Sequence, residues 1–318
     1  MEKVSVIVPC YNVELYLLTF IDNLLKQDYD DIEVIFVNDG SPDKSEDIIK
    51  ENEERIRQRG YEIKYIKKKN GGLASAVNAG LKAVTGDYVI WPDPDDIMFE
   101  NNISRKVEAL NEDREAALAI CTGKIVDAND ISKELGILKY NMKHNGENLF
   151  EDYIYERNVV FAPVAFMVRM KTLDEVIPNR DIYPGREGQN FQILLPIIYS
   201  KKCICIEDCL YKYLVHADSH SHQKRNLQQW YSRFDGIQDN IIYTINAIAE
   251  MPQEEKKMWE KKTRIKYLRK KMYLQFHYRN YEEVKTLKVQ INEMGGKSIL
   301  KDSWIYMLAR NLVYGERV

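Results

Sequence analysis

The chain opens with strands and helices in strict alternation, and that order constrains its fold more than any other feature. Residues 4–8 form a short β-branched run stopped by Pro9, the pattern of a buried strand. Leu15, Leu18, Ile21, Leu24 and Leu25 then recur at helical spacing. Residues 32–37 (IEVIFV) predict a second strand, and Ile48, Ile49 and Ile56 mark a second helix beyond SPDKSED. A third strand at 63–66 leads to a helix over 73–84, closed by Gly86 as helix C-termini often are. Residues 88–91 read as the fourth strand. This alternation predicts an α/β chain with a parallel, doubly wound sheet, whose ligands gather at the strands' C-terminal ends.

Each of those ends carries polar residues. They are Pro9-Cys10-Tyr11-Asn12 after the first strand and Asn38-Asp39-Gly40-Ser41 after the second. Asn70-Gly71-Gly72 follows the third, and Asp93, Asp95 and Asp96 end the run YVIWPDPDD after the fourth. Turn chemistry accounts for any one of them alone. Four in a row on one sheet edge make a site. A hydrophobic strand that delivers carboxylates to its tip suits a hard cation such as Mg²⁺ or Mn²⁺, held against a phosphate. The plainer reading of 92–96 is a solvated acidic turn, with Pro92 and Pro94 stopping the strand.

From residue 101 the pattern becomes mixed. A helix to 112 precedes a strand over 117–126, a polar loop through 145 and a strand over 162–168. A helix from about 189 to 200 and a strand over 203–215 follow, and from 226 onward the chain reads as helical. With 318 residues, 45% of them hydrophobic, it can bury a full core and reaches the size of two domains. A net charge of −3 gives no global reason to expect a nucleic-acid partner. The five cysteines are an odd number without a disulfide framework, which fits a reducing cytoplasm. CICIEDC at 203–209 lacks the paired spacing of a zinc ribbon, so its cysteines read as strand residues. No stretch approaches the roughly 20 apolar residues of a membrane span, and the first apolar run is too short for a signal peptide. A soluble, cytoplasmic protein is expected.

The helical tail has one distinctive stretch. Residues 251–272 hold nine Lys/Arg against three Glu. Met258, Ile265, Leu268 and Met272, with Trp259 and Tyr267 nearby, form an apolar stripe flanked by these cations. Such a helix either lies on an anionic membrane surface or packs its stripe on protein. Trp304, Tyr306, Leu308 and Tyr314 suggest further packing, onto the same chain or in a homo-oligomer.

Four segments resemble the family 2 glycosyltransferases, inverting enzymes with the GT-A nucleotide-binding fold. They are VSVIVPCYNVELYL, IEVIFVNDGSPDKS, NGGLASAVNAGLKAVTGDYVIWPDPDD and LYKYLVHADSHSH, in that order over residues 4–223. The resemblance implies a GT-A-type, mostly parallel sheet with helices on both faces. It implies a glycosyltransferase domain over 1–223, with a nucleotide-sugar half at 1–97 and an acceptor half at 98–223. Residues 224–318 would then be a helical extension. The implied activity is metal-dependent transfer from a nucleoside diphosphate sugar, a UDP-sugar foremost, to a glycan or lipid-linked acceptor of a surface polysaccharide. Pro9, Tyr11 and Asp39 would line the nucleoside pocket, with Asn12, Gly71 and Asn78 completing the donor side. Asp93 would face the ribose and diphosphate, and Asp95 of the DxD motif would ligate Mn²⁺ or Mg²⁺. His216 matches a late histidine that approaches the metal or diphosphate; its plainer reading is a surface histidine near Ser219 and Ser221. His220 and His222 read as loop residues.

The residues support this reading independently. A Rossmann dehydrogenase needs G-x-G-x-x-G after the first strand, and PCYNVE has no glycine. A diphosphate must then be neutralised by other means, and a cation on the aspartate turn provides them. A nucleotidyltransferase would want a glycine-rich, basic loop at the same place. Asp39 can accept from a base N–H, and Tyr11 offers a ring for stacking.

The match breaks at the catalytic base. The family opens a helix after the acceptor loop with an acidic pair, and here GREGQNFQILLPI puts Gln189 and Asn190 there. Neither amide takes a proton at neutral pH. Glu187 stands first as replacement and Asp181 second; the third possibility is a protein that binds sugar nucleotides without efficient transfer. Glu207-Asp208 spells the acidic pair in the wrong context. Val77 stands where the family often has an arginine, a loss that Lys68 or Lys69 would have to offset.

Overall fold

The computed structural model describes residues 2–140, 149–188, 190–216 and 225–297. The chain divides into two compact units, one of residues 1–216 with 247–250 and one of 217–246 with 251–318.

The first unit begins β1 (Val4–Cys10), α1 (Glu14–Leu25), β2 (Ile32–Asn38), α2 (Ser45–Gln58), β3 (Glu62–Lys67), α3 (Leu73–Ala83) and β4 (Tyr88–Ile90). β1 lies between β2 and β4, parallel to both, and β3 pairs parallel outside β2. Every residue of β1 and β2 is buried, as continuous apolar runs are in parallel strands covered on both faces. On α1 the buried stripe is Leu17, Phe20, Ile21 and Leu24. Leu15, at 80% exposure, and Leu18 fall outside it, which corrects the stripe expected from leucine spacing alone.

The chain continues through β5 (Ile97–Met98), α4 (Asn102–Glu112), β6 (Ala116–Asp127), β7 (Asp130–Leu138) and α5 (Leu149–Tyr155). Then come β8 (Phe166–Arg169), α6 (Met170–Val176), α7 (Phe191–Ser200) and β9 (Lys202–Val215). The sheet order is β3-β2-β1-β4-β8-β6-β9-β5, with β7 paired to β6. Directions here are mixed: β8 runs antiparallel to β4 and β6, while β6 and β9 are parallel.

Three expectations need correction. The polar stretch after 126 contains β7, which forms a hairpin with β6 and is exposed along most of its length. A strand that buries almost nothing carries no hydrophobic alternation to betray it. Residues Pro163–Ala165 form a 3₁₀ turn, and the strand starts only at Phe166. The buried Lys106 fastens that turn by donating to the carbonyls of Val164 (2.9 Å) and Phe166 (3.4 Å). Finally, the helix expected from 189 begins at Phe191, and Gln189 lies outside the described residues.

The second unit contains α8 (Leu227–Ala247), α9 (Gln253–His277) and α10 (Tyr281–Glu293). Asn280 caps α10, its side chain accepting from the Glu283 N–H. Ile265 and Met272 of α9 bury against Val284, Leu287 and Ile291 of α10, with Leu268 beside them. The apolar stripe of α9 is thus the seam of a helical hairpin, and Met258 stays exposed outside it. Among the described residues no helix is long and apolar enough to cross a membrane. Ser219, His220, Ser221, His222 and Trp304 to Tyr314 lie outside the described residues.

Candidate functional site

The C-terminal edge of β1, β2 and β3 is drawn together by side chains from its own turns. Asp39 follows β2 and is 2% exposed. Oδ1 accepts from Lys68 Nζ (2.5 Å) and from the Gly71 N–H (3.0 Å), and Oδ2 accepts from the Gly72 N–H (2.8 Å). Asp39 therefore holds the loop before α3, with an ammonium already seated on it. Next to it, Gly40 sits at φ +70°, where a Cβ would stand 2.9 Å from the Asn70 nitrogen. A side chain there would push the two loops apart. Asn12 donates its N–H to Ser41 Oγ (2.8 Å), and the Ser41 N–H donates to Asn38 Oδ1 (2.8 Å), which joins the β1 tip to the β2 tip. Pro9 is buried within β1, opposite Val37, and Tyr11 stands exposed at the tip.

Beyond β4 the acidic turn is only partly solvated: Asp93 and Asp95 are half-buried and Asp96 is buried. Asp96 Oδ1 accepts from the Leu214 N–H (3.3 Å), while its Oδ2 is buried with no hydrogen-bond partner. Burial raises the proton affinity of all three carboxyls. Repulsion from Asp95 adds to it at Asp93, and repulsion from Asp95 and Asp93 at Asp96. Only at Asp95 does a neighbouring side chain oppose the rise, through the charge of His216. His216 follows β9, its ring tilted 59° against Tyr16 of α1 with centroids 4.9 Å apart. Its Nε2 is buried without a partner.

Crowded carboxyls within electrostatic reach of a histidine whose Nε2 is buried without a partner suit a divalent cation. Among the described residues no three His, Cys, Asp or Glu side chains gather into a cage. Mg²⁺ and Mn²⁺ need none, because they complete their shell with substrate phosphate and water.

The loop before α7 is pinned to this edge. Asn78 of α3 donates to Asp181 Oδ1 (2.8 Å) and accepts from the Ile182 N–H (3.2 Å). Lys82 adds a second donor to Asp181 at 3.2 Å. The Asn78 hydrogen bond, then Lys82, hold the Asp181 carboxyl below its usual range. At the other end Asn190 adopts left-handed backbone (φ 79°) just before α7. Its Oδ1 accepts from Trp91 Nε1 and its Nδ2 donates to the Phe161 carbonyl, both at 2.8 Å. Trp91 directly precedes the acidic turn, so Asn190 ties the start of α7 to it. A carboxylate could not donate to Phe161. Glu187 is half-buried in the same loop.

Sequence reading missed Asp43 and the partners that Ser41 and Lys68 take in this network. Ser41 and Asp43 knit the first two turns, Asp43 Oδ2 accepting from the Glu14 N–H (2.9 Å) and Oδ1 from Ser41 Oγ (2.5 Å). The signal was the run SPDKSED, rich in residues that bond to nearby backbone. Lys68 pairs with Asp39 rather than standing free for a phosphate. Asp208 of the decoy pair is engaged with Arg105 (3.1 Å).

Comparison with known proteins adds five findings. Residues 5–177, just over half the chain, match the family model for glycosyl transferase family 2. The chain is 45% identical over 230 residues to the glycosyltransferase GlyA of Streptococcus pneumoniae, covering 69% of this chain and 31% of that protein. It is 44% identical over 110 residues to the minor teichoic acid biosynthesis protein GgaB of Bacillus subtilis, covering 34% of this chain and 12% of GgaB. The chain therefore spans less than half the length of these relatives. Among solved structures, TarS 1–349 of S. aureus in complex with UDP-GlcNAc superposes with a TM-score of 0.58 at 19% identity, over 84% of this chain and 72% of that one. The mannosyltransferase PcManGT of Pyrobaculum calidifontis, in complex with GDP-Man and Mn²⁺, gives 0.57 at 13% identity, over 99% and 81%. At such identities these two show a shared GT-A fold.

Proposed function

The chain belongs to glycosyl transferase family 2, and from that premise we propose that it moves a sugar from a nucleoside diphosphate donor, a UDP-sugar foremost, to a hydroxyl of a glycan or lipid-linked acceptor, with inversion. The observation that carries the reading is the crowded, partly buried acidic tip of β4, with Asp95 in electrostatic reach of His216, whose Nε2 has no partner. TarS with UDP-GlcNAc and PcManGT with GDP-Man and Mn²⁺ support donors of this class and a metal. GgaB supports a surface polymer as the product.

In this reading residues 1–97 bind the donor and 98–223 the acceptor. Asp39 accepts the base N–H, displacing Lys68 from Oδ1, while Tyr11 flanks the base and Pro9, Asn12 and Gly71 shape the pocket. Asn78 holds the loop that closes the donor side, and Asp93 faces the ribose. Asp95 and His216 would hold Mn²⁺ or Mg²⁺, which supplies positive charge to the departing diphosphate. Glu187 takes the proton from the acceptor hydroxyl as its oxygen bonds to the anomeric carbon and the bond to the diphosphate oxygen breaks. Asp181 is the second candidate, a weaker base because Asn78 and Lys82 lower its proton affinity and anchor it to α3. Asn190 braces the site without taking a proton. The cations of α9 are what would bring the protein to an anionic membrane surface from the cytoplasm, since its apolar stripe is taken by α10.

The test is release of nucleoside diphosphate from a panel of nucleotide sugars, with Mn²⁺ and with EDTA. Metal-dependent release is expected. Binding without turnover would favour a sugar-nucleotide-binding protein, and release of pyrophosphate would make the protein a nucleotidyltransferase.

A further inference from the structure

We propose that Arg186 is a nucleobase-binding residue, carried to the donor pocket by the loop before α7. The inference rests on reading the Asp39 end of the site as the nucleoside pocket. Arg186 is exposed, yet its place is set: Nη2 donates to Asn70 Oδ1 at 3.2 Å. Its stem crosses directly over Gly72, where a Cβ would stand 3.4 Å from Arg186 Cγ. Gly72 is also the residue whose N–H is bonded to Asp39 Oδ2 at 2.8 Å, so the guanidinium stem lies one residue from the carboxylate. Both ends of the loop are fastened, at Asn78 through Ile182 and at Trp91 through Asn190.

The chemistry of the neighbours indicates what the guanidinium meets. Uracil presents one N–H between two carbonyl oxygens, so its complement is an acceptor flanked by donors. Asp39 is that acceptor. The Lys68 ammonium, which rests 2.5 Å from Oδ1 until the base N–H displaces it, is one donor, and Arg186 supplies the other with a planar fork suited to a flat ring. Cytosine, with a lone pair where uracil has the N–H, would face the carboxylate unfavourably.

The experiment is titration of wild type, Arg186→Met, Arg186→Lys and Asp39→Ala with uridine and with UDP. Arg186→Met is expected to weaken both ligands by the same factor, at least about tenfold for a lost charge-assisted hydrogen bond. Arg186→Lys should recover part of the loss, and thermal melting of the free variants should match wild type, since the side chain is exposed. A loss for UDP without a loss for uridine would move the guanidinium to the diphosphate and overturn the assignment. Unchanged affinity for both, while Asp39→Ala loses uridine, would reduce Arg186 to a loop strut. If Asp39→Ala also binds uridine normally, the nucleoside pocket itself is misplaced.

Discussion

Glu33, near the start of β2, and the three aspartates beyond the end of β4 stand at opposite ends of one set of parallel strands, and they have opposite fates. At the N-terminal end Glu33 is 0% exposed and saturated. It accepts from Ser5 Oγ (2.5 Å), the Thr85 N–H (2.6 Å), Thr85 Oγ1 (2.8 Å) and Lys64 Nζ (2.6 Å). Burial alone would raise its pKa, but the bonds from Lys64, Ser5 and Thr85 outweigh it and bring the value to about 2. At the C-terminal end burial prevails: the Asp93, Asp95 and Asp96 carboxyls are all raised, and Asp96 Oδ2 has no partner. Burial is common to both ends, and the supply of donors is what differs. A saturated buried charge holds a fold together, whereas an unsaturated one leaves its complement to be brought by a ligand.

Substitutions at each end should separate activity from stability. Asp95→Asn should lower turnover by about 10³-fold or more, because cation help at a leaving group is worth several kcal/mol. Its melting temperature without ligands should not fall, since it removes a charge from a repelling group. Glu33→Gln should do the reverse, costing about 1–3 kcal/mol in denaturant melts by breaking the buried hydrogen bonds to Ser5, Thr85 and Lys64. Turnover per folded molecule should stay at the wild-type level. The pH dependence has a definite sign. The Glu33 pKa is depressed on folding, so its contribution is complete above its ordinary value of 4.5 and disappears as pH falls through about 2. Wild type should therefore lose more stability than Glu33→Gln between about pH 5 and pH 2.

Two smaller effects sharpen the picture at the acceptor side. Glu187→Gln should slow turnover by about 10²-fold with donor affinity unchanged, as befits a general base. If Asp181→Asn is slowed instead, the proton goes to Asp181. Asn190→Asp should not restore the acidic pair as a catalyst. It sets a carboxylate oxygen against the Phe161 carbonyl, and a loss of about 1–3 kcal/mol in stability is expected without a gain in rate.

The parallel half of the fold was legible because its signals are local. Short β-branched runs, proline and glycine punctuation and polar strand tips all lie within a few residues of one another. The features that were not legible depend on distant partners. Glu33 is a lone acid in the apolar run IEVIFV, with nothing beside it to name what it binds, and its donors Ser5, Lys64 and Thr85 are scattered through the sequence. Asn190 looked like a lost acid until Trp91 and Phe161 were placed against it. β7 was hidden because its pairing with β6 leaves it outside the core. The apolar stripe on α9 was visible, but its partner α10 was not, since nothing in a helix pattern names the surface it meets.

The most direct test of the contrast is thermal melting of wild type, Glu33→Gln and Asp95→Asn with UDP, in Mn²⁺ and in EDTA. Ligand that binds only the folded state raises the melting temperature. UDP with Mn²⁺ should raise it by the same interval in wild type and Glu33→Gln, and by clearly more than UDP with EDTA. Asp95→Asn should show no difference between the two conditions. A Mn²⁺-dependent rise in Asp95→Asn equal to that of wild type would contradict a metal-binding role for the β4 tip.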